Sequence, residues 1–109
     1  MARKTLQLIE PLIGHHETIR EIVLRSPTLS EYGRLGDPDS WIALGDDKFY
    51  RVENDPAIAA YIDTCVVEPK DKLLLEQLSL ADQIGLKRAL IDFFDEARQA
   101  RASLTSPTP

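Results

Sequence analysis

Few side chains in this chain have the chemistry of a catalytic or metal site, and their spacing decides what each could do. His15-His16-Glu17 is the one histidine cluster. Neighbouring residues on a strand point to opposite faces, so both imidazoles cannot easily share one metal ion. No third histidine exists, and Cys65, the single cysteine, is far away in sequence. The cluster therefore reads as an exposed polar turn. Cys65 sits between Ile62 and Val66 on an apolar helical stripe, where cysteine behaves as a small buried apolar residue and not as a nucleophile. It can form neither an internal disulfide nor a CxxC metal site, which fits a reducing cytoplasm.

Carboxylates come in groups: Asp37 with Asp39, Asp46 with Asp47, and Asp92 with Asp95 and Glu96. General acid–base work needs such a group in a desolvating cleft. Asp37-Pro38-Asp39 and Asp46-Asp47 read as turn chemistry, and Asp92, Asp95 and Glu96 fall on the polar side of the last helix. A calcium loop starting at Asp37 would place Trp41 at its fifth position, where an oxygen ligand is required. Gly14 and Gly36 are isolated and build no phosphate loop. The expectation is a protein that is not an enzyme, with no catalytic residue, cofactor site or metal site.

The elements follow from apolar spacing and turn residues. Thr5–Glu10 and Thr18–Leu24 read as the strands of an antiparallel hairpin, with Gly14 free for a positive φ at the turn and Pro11 on an edge or just past the first strand. Thr28 and Glu31 have capping-box spacing at the start of a short helix that places Leu29, Tyr32 and Leu35 on one face and stops at Gly36. Trp41–Leu44 and Phe49–Val52 flank Gly45-Asp46-Asp47-Lys48, which suggests a second short hairpin, although a short helix from Pro38 through Leu44 fits almost as well. Asp55 as N-cap and Pro56 at the first helical position open the next helix, with Ile58, Ile62, Cys65 and Val66 as its stripe and Pro69 as its end. Asp71 to Leu78 reads as a short helix that buries Leu73-Leu74-Leu75.

Ser79, with Asp82 three residues on, caps a long final helix to about Arg101. Leu80, Ile84, Ile91 and Phe94 make one stripe on it, and Leu86, Leu90, Phe93 and Ala97 a second beside it. The fold class is α+β: a small N-terminal hairpin, with the second hairpin as an option, packed with three to four helices. Residues 1–102 form a single domain and residues 103–109 a disordered tail.

The chain has 109 residues and a net charge of −5. One domain is expected at this length. No apolar stretch is long enough to span a bilayer, and the amino terminus has neither the h-region nor the cleavage site of a targeting peptide. The charge is uneven: residues 37–76 hold ten acidic and four basic residues. No Lys or Arg run exceeds two residues, which argues against a nucleic-acid partner. What remains is apolar supply. Phe93 and Phe94 point about 100° apart on a helix that is apolar over about half its circumference. Either both rings are core, or one lies free beside Leu90 as a docking ridge for a partner helix.

The order of these pieces resembles a known family. Leu8-Ile9-Glu10-Pro11-Leu12-Ile13-Gly14, then Ile19 through Leu24-Arg25-Ser26-Pro27-Thr28, then Tyr32-Gly33-Arg34-Leu35-Gly36 is similar to the start of tail assembly chaperones from Mu-like and related contractile-tailed phages. In that family a hairpin ending in Leu-Arg-x-Pro leads into a helix that closes on Leu-Gly. Leu78-Ser79-Leu80-Ala81-Asp82 followed by Phe93-Phe94 resembles the family's closing helix, and Tyr61-Ile62 through Glu68-Pro69 a connecting helix of prophage variants. The resemblance covers roughly residues 4–97, and the stretch Asp37–Asp55 is longer than in the leanest members.

It implies a non-enzymatic protein of the host cytoplasm, absent from the finished virion. Such a protein binds the tape measure protein, keeps it soluble and helps recruit tail tube subunits, with no nucleic-acid or membrane partner and weak self-association. Leu86, Leu90, Phe93 and Phe94 are the candidate contacts for that role. The competing reading is a bacterial acidic adaptor or antitoxin-like module whose residues 37–55 neutralise a basic partner. Salt separates the two, because charge-driven binding weakens sharply with ionic strength and apolar docking does not.

Overall fold

The structure, a computed structural model, describes residues 2–105. β1 (Arg3–Ile13) and β2 (Thr18–Arg25) form the expected antiparallel hairpin. Leu6 lies opposite Ile22 on the inner face, while Gln7 and Glu21 hydrogen-bond across the outer face at 2.9 Å. The ladder breaks between Gln7 and Leu12. Pro11, which has no N–H to give, falls in that irregular stretch of an edge strand. The turn closes through the Gly14 amide donating to the Glu17 carbonyl at 2.9 Å, and Gly14 does not take the positive φ expected of it.

α1 (Leu29–Leu35) opens with the capping box that its sequence predicts. Thr28 Oγ1 accepts from the Glu31 amide at 3.2 Å, and the Glu31 carboxylate accepts from the Thr28 amide at 2.8 Å. Gly36, at φ +75°, turns the chain out of the helix. The expected apolar face is not buried: Leu29 and Tyr32 are exposed and Leu35 is half-buried. Glu31 is buried in their place, because Arg25 forks onto its carboxylate at 2.7 and 2.9 Å and also donates to the Thr64 carbonyl at 3.1 Å. This bidentate contact ties the end of β2 to the start of α1 and the end of α2.

β3 (Asp39–Gly45) and β4 (Lys48–Glu53) form a second, two-stranded sheet, so the hairpin forms and the alternative helix does not. Asp46 and Asp47 take φ of +50° and +60° in a two-residue turn. That conformation matches the twist of a hairpin, and Asp tolerates it better than most residues. α2 (Asp55–Cys65) is capped by Asn54, whose side chain accepts from the Ala57 amide, one residue before the predicted cap. It ends at Cys65, short of Pro69. The β-branched pair Val66-Val67 leaves the helix as β5 (Val66–Glu68) and adds a third strand beside β2, which the sequence did not announce.

Lys72–Gln77 is a 3₁₀ turn capped by Asp71. Three residues per turn fan Leu73, Leu74 and Leu75 around the axis, so they cannot all face inward. Leu73 is exposed, Leu74 and Leu75 are half-buried, and Leu78 enters the core. α3 (Leu80–Thr105) runs past the predicted end at Arg101, which makes residues 103–105 helical. The rest of the predicted tail, residues 106–109, lies outside the described residues. The helix packs against β1 on one side and α2 on the other. A methyl added at Gly85 would sit 3.3 Å from the Leu6 side chain, so this glycine permits the close approach of β1.

Asp82 fixes the start of α3. Its amide donates to Ser79 Oγ at 3.2 Å, as the capping spacing predicts. Its carboxylate accepts from the amides of Ile9 and Glu10, at 2.9 and 3.1 Å, in the stretch of β1 left unpaired by β2. Gln77 similarly accepts from the Ile13 amide and donates to its carbonyl, at 3.1 and 3.3 Å. The edge strand is thereby covered by side chains.

Two carboxylates make stability depend on acid. The Arg25 hydrogen bond, followed by the Thr28 amide, lowers the Glu31 pKa to about 2. The Ile9 and Glu10 amides hold Asp82 below its ordinary range. A depressed folded-state pKa gives stability that is complete above the ordinary carboxylate range and fades as pH falls through the folded value. Glu31→Gln is expected to cost about 1–3 kcal/mol at neutral pH and to flatten the loss of stability between pH 4.5 and about 2; denaturant melts across that window check it. Asp82→Asn, which keeps the shape but loses the charge, should lower Tm by several degrees and deprotect the Ile9 and Glu10 amides in hydrogen exchange.

Candidate protein-docking surface

The four side chains expected to dock a partner are core. Leu86, Leu90, Phe93 and Phe94 are all buried, the most exposed of them at 9%. The reason is two-sided burial of α3. Phe93 lies under Lys4 of β1, with the ammonium 5.1 Å from the ring centroid. Phe94 stacks edge-on against Tyr61 of α2 at 5.1 Å and meets Tyr32 of α1 at 5.9 Å. Both rings therefore have places in the core, and no ridge is formed. The stripes assigned to α3 divide differently: Leu80, Ile84 and Ala97 face outward. The edges of Phe93 and Phe94 line one side of an open groove of about 700 Å³, bounded by Leu29, Tyr32 and Arg98.

The exposed apolar surface is carried instead by the β3–β4 arm. Trp41 is 66% exposed, Leu44 63% and Phe49 61%, with Ile42 and Tyr50 above 40%. Directly opposed residues of a ladder share a face. Trp41 opposite Arg51 and Ala43 opposite Phe49 make one face; Ile42 opposite Tyr50 makes the other. Apolar side chains thus stand on both faces of a ribbon only two strands wide. A lone two-stranded ribbon is marginal in water, so its base needs an anchor.

That anchor is ionic. Asp39, 4% exposed, receives Arg51 Nε at 2.7 Å and Arg98 Nη2 at 2.9 Å. Burial pushes its pKa up, but the two guanidinium groups outweigh this and hold it below its ordinary value. Arg51 Nη2 lies 2.5 Å from the same carboxylate oxygen but off the hydrogen-bonding direction, with Asp95 4.0 Å away. Arg98 also reaches Asp95 and Asp37, and Asp37 accepts from the Tyr32 hydroxyl at 2.7 Å. Glu53, at the far end of β4, pairs with Lys87 of α3. Both strands of the arm are therefore clamped at their base to α3. Asp39 is therefore a buried anchor and not the turn residue that Asp37-Pro38-Asp39 predicts; its spacing from Arg51 across the hairpin is the sequence signal for this role.

Groups with reactive chemistry lie apart from the arm. His15 and His16 are exposed in the β1–β2 turn, and no cluster of three His, Cys, Asp or Glu side chains suited to a metal occurs among the described residues. Cys65 is fully buried, and burial pushes its thiol pKa up. Tyr61 is spent on structure: its hydroxyl donates to the Gly36 carbonyl at 2.6 Å, and burial first of all raises its pKa to about 12. No helix among the described residues is long and apolar enough to cross a membrane.

The fold and surface define an α+β domain with a projecting apolar arm. No family model, curated protein or solved structure matches the chain.

Removing the anchor should loosen the arm alone. Arg98→Ala leaves the Asp39 carboxylate with one cation, a change expected to cost about 1–3 kcal/mol. In hydrogen exchange, amides of residues 40–52 should lose protection while those of β1 and β2 keep theirs.

Proposed function

We propose that this chain is a tail assembly chaperone of a phage or prophage: a binding protein, not an enzyme, that acts in the host cytoplasm. It covers apolar helical stretches of the tape measure protein, keeps that protein soluble and helps recruit tail tube subunits. One observation carries this reading: five large apolar side chains stand exposed on both faces of an arm held at its base by ion pairs. The resemblance of Leu24-Arg25-Ser26-Pro27-Thr28 and of Asp82 with Phe93-Phe94 to the chaperone family supplies the identity of the partner.

Magnitudes suit a reversible cover. With ~150–250 Å² per aromatic side chain, the arm exposes roughly 500 Å² of apolar surface. Covering it yields roughly 12 kcal/mol gross, against ~4–15 kcal/mol for lost freedom on association. Binding by one copy is then weak, and several copies along one tape measure chain gain by avidity. Weak binding also allows tube subunits to displace the chaperone.

The acidic-adaptor reading has less to draw on. Within residues 37–55, Asp37 and Asp39 are engaged by Arg98, and Glu53 by Lys87, before any partner arrives.

Co-expression with the long helical protein encoded beside this gene tests the proposal. That protein should be soluble only with this chain, bearing several copies of it. The double substitution Trp41→Ser with Phe49→Ser should leave Tm within a few degrees of the parent and abolish most of the solubilisation. Persistent insolubility with the parent chain would overturn the function. Full activity of the double variant would remove the arm from it.

A further inference from the structure

A second apolar surface lies between α2, the Lys72–Gln77 turn and α3, in a groove of about 560 Å³. Ile58 and Ile62 stand one turn apart on α2, and Leu80 and Ile84 one turn apart on α3. Two helices that present such paired rows leave a channel between them, and the ridge of a third helix fits it. Ile58 is a buried floor, whereas Leu80 at 71% and Ile84 at 60% exposure are free walls.

The rim has a sign. Asp55, Asp63 and Glu76 line the groove, and none of these carboxylates joins an ion pair among the described residues. Two lysines share the rim: Lys87 pairs with Glu53, which lies outside the groove, and Lys72 keeps its charge while donating to the neutral Asp63 carbonyl. What the groove offers is an apolar channel on whose rim three carboxylates outnumber two lysines, one of them neutralised by Glu53.

We infer that this groove binds an amphipathic helix of another protein, with an apolar stripe repeating every three or four residues and Lys or Arg along its flanks. A second copy of this chain fits poorly, because it would bring the same acidic rim against the groove. The groove is separate from the arm, and the inference holds whatever protein the arm covers.

Titration of the isotope-labelled full chain with two synthetic helical peptides of about 18 residues tests it. Both carry one Leu/Ile stripe; one is flanked by Lys, the other by Glu. The Lys peptide should shift the amides of residues 58–62 and 80–84 and bind at least about tenfold more tightly than the Glu peptide at low salt, a gap that narrows as salt rises. Ile84→Ser, at an exposed position, should weaken binding several-fold without lowering Tm. Asp63→Asn with Glu76→Gln should erase most of the preference for Lys. Equal binding of the two peptides, shifts confined to residues 41–50, or no shifts with either peptide would each overturn the inference. Because no tape measure protein is present, these outcomes are independent of the chaperone proposal.

Discussion

A carboxylate shared between a helix start and a strand sets the geometry on which the rest of this molecule depends. β1 leaves β2 between Gln7 and Leu12, which frees the amides of Ile9 and Glu10. Asp82, itself buried, accepts both from the first turn of α3 and so satisfies its own charge. Ser79 completes the cap by accepting from the Asp82 amide and donating to its carboxylate. The break in the ladder and the position of the helix are therefore one feature. With its start held against the edge strand, and Gly85 allowing close approach, α3 delivers Leu86, Leu90 and Phe93 into the core in turn. Farther along, the Lys4–Glu96 pair at 2.6 Å and the Asp39–Arg98 pair at 2.9 Å keep it on that course.

Arg25 does for the other side of the fold what Asp82 does for this one. It joins β2, α1 and α2 through the Glu31 carboxylate and the Thr64 carbonyl. This gives a physical account of Leu24-Arg25-Ser26-Pro27-Thr28. Leu24 fills the core, Arg25 is the clamp, and Thr28 caps the helix that the clamp holds. The residues on which the proposed likeness to tail assembly chaperones rests are thus framework residues. They bear on how the chain folds, and the partner must be sought on surfaces elsewhere.

Local chemistry was legible in the sequence wherever a few neighbouring residues decide the outcome. The Thr28/Glu31 box, the Ser79 cap and the Asp46-Asp47 turn follow from side-chain oxygens and tolerance of positive φ, and the structure contains all three. What could not be read was how many sides of an element would be covered. A helix apolar over half its circumference looks the same whether one flank or two are buried; only the β1–β2 sheet and α2 together decide that Phe93 and Phe94 are core. The reverse holds for the arm. Trp41–Leu44 and Phe49–Val52 have the composition of core strands, yet no second layer covers either face. Val66-Val67 differs from expectation for a related reason, since a helical stripe running to Pro69 masks the β-branched pair that joins β2.

The separation of rigid base from free tip has a consequence for association. An apolar two-stranded ribbon with unpaired edges invites pairing with any other strand. Here the turn carries Asp46 and Asp47 side by side, and two such tips repel when ribbons align in parallel. Charge therefore restrains contact between like arms but leaves their faces open to an apolar partner. The base resists the same pressure, because buried Asp39 would lose Arg98 of α3 if the ribbon swung away, leaving only Arg51 of its own ribbon as a partner. The arm is thus tied by ion pairs where it leaves the core, charged at its tip and apolar between the two. The neighbouring groove, apolar in its floor and acidic along its rim, has the same division of labour. The net charge of −5 adds a general repulsion between copies of this chain.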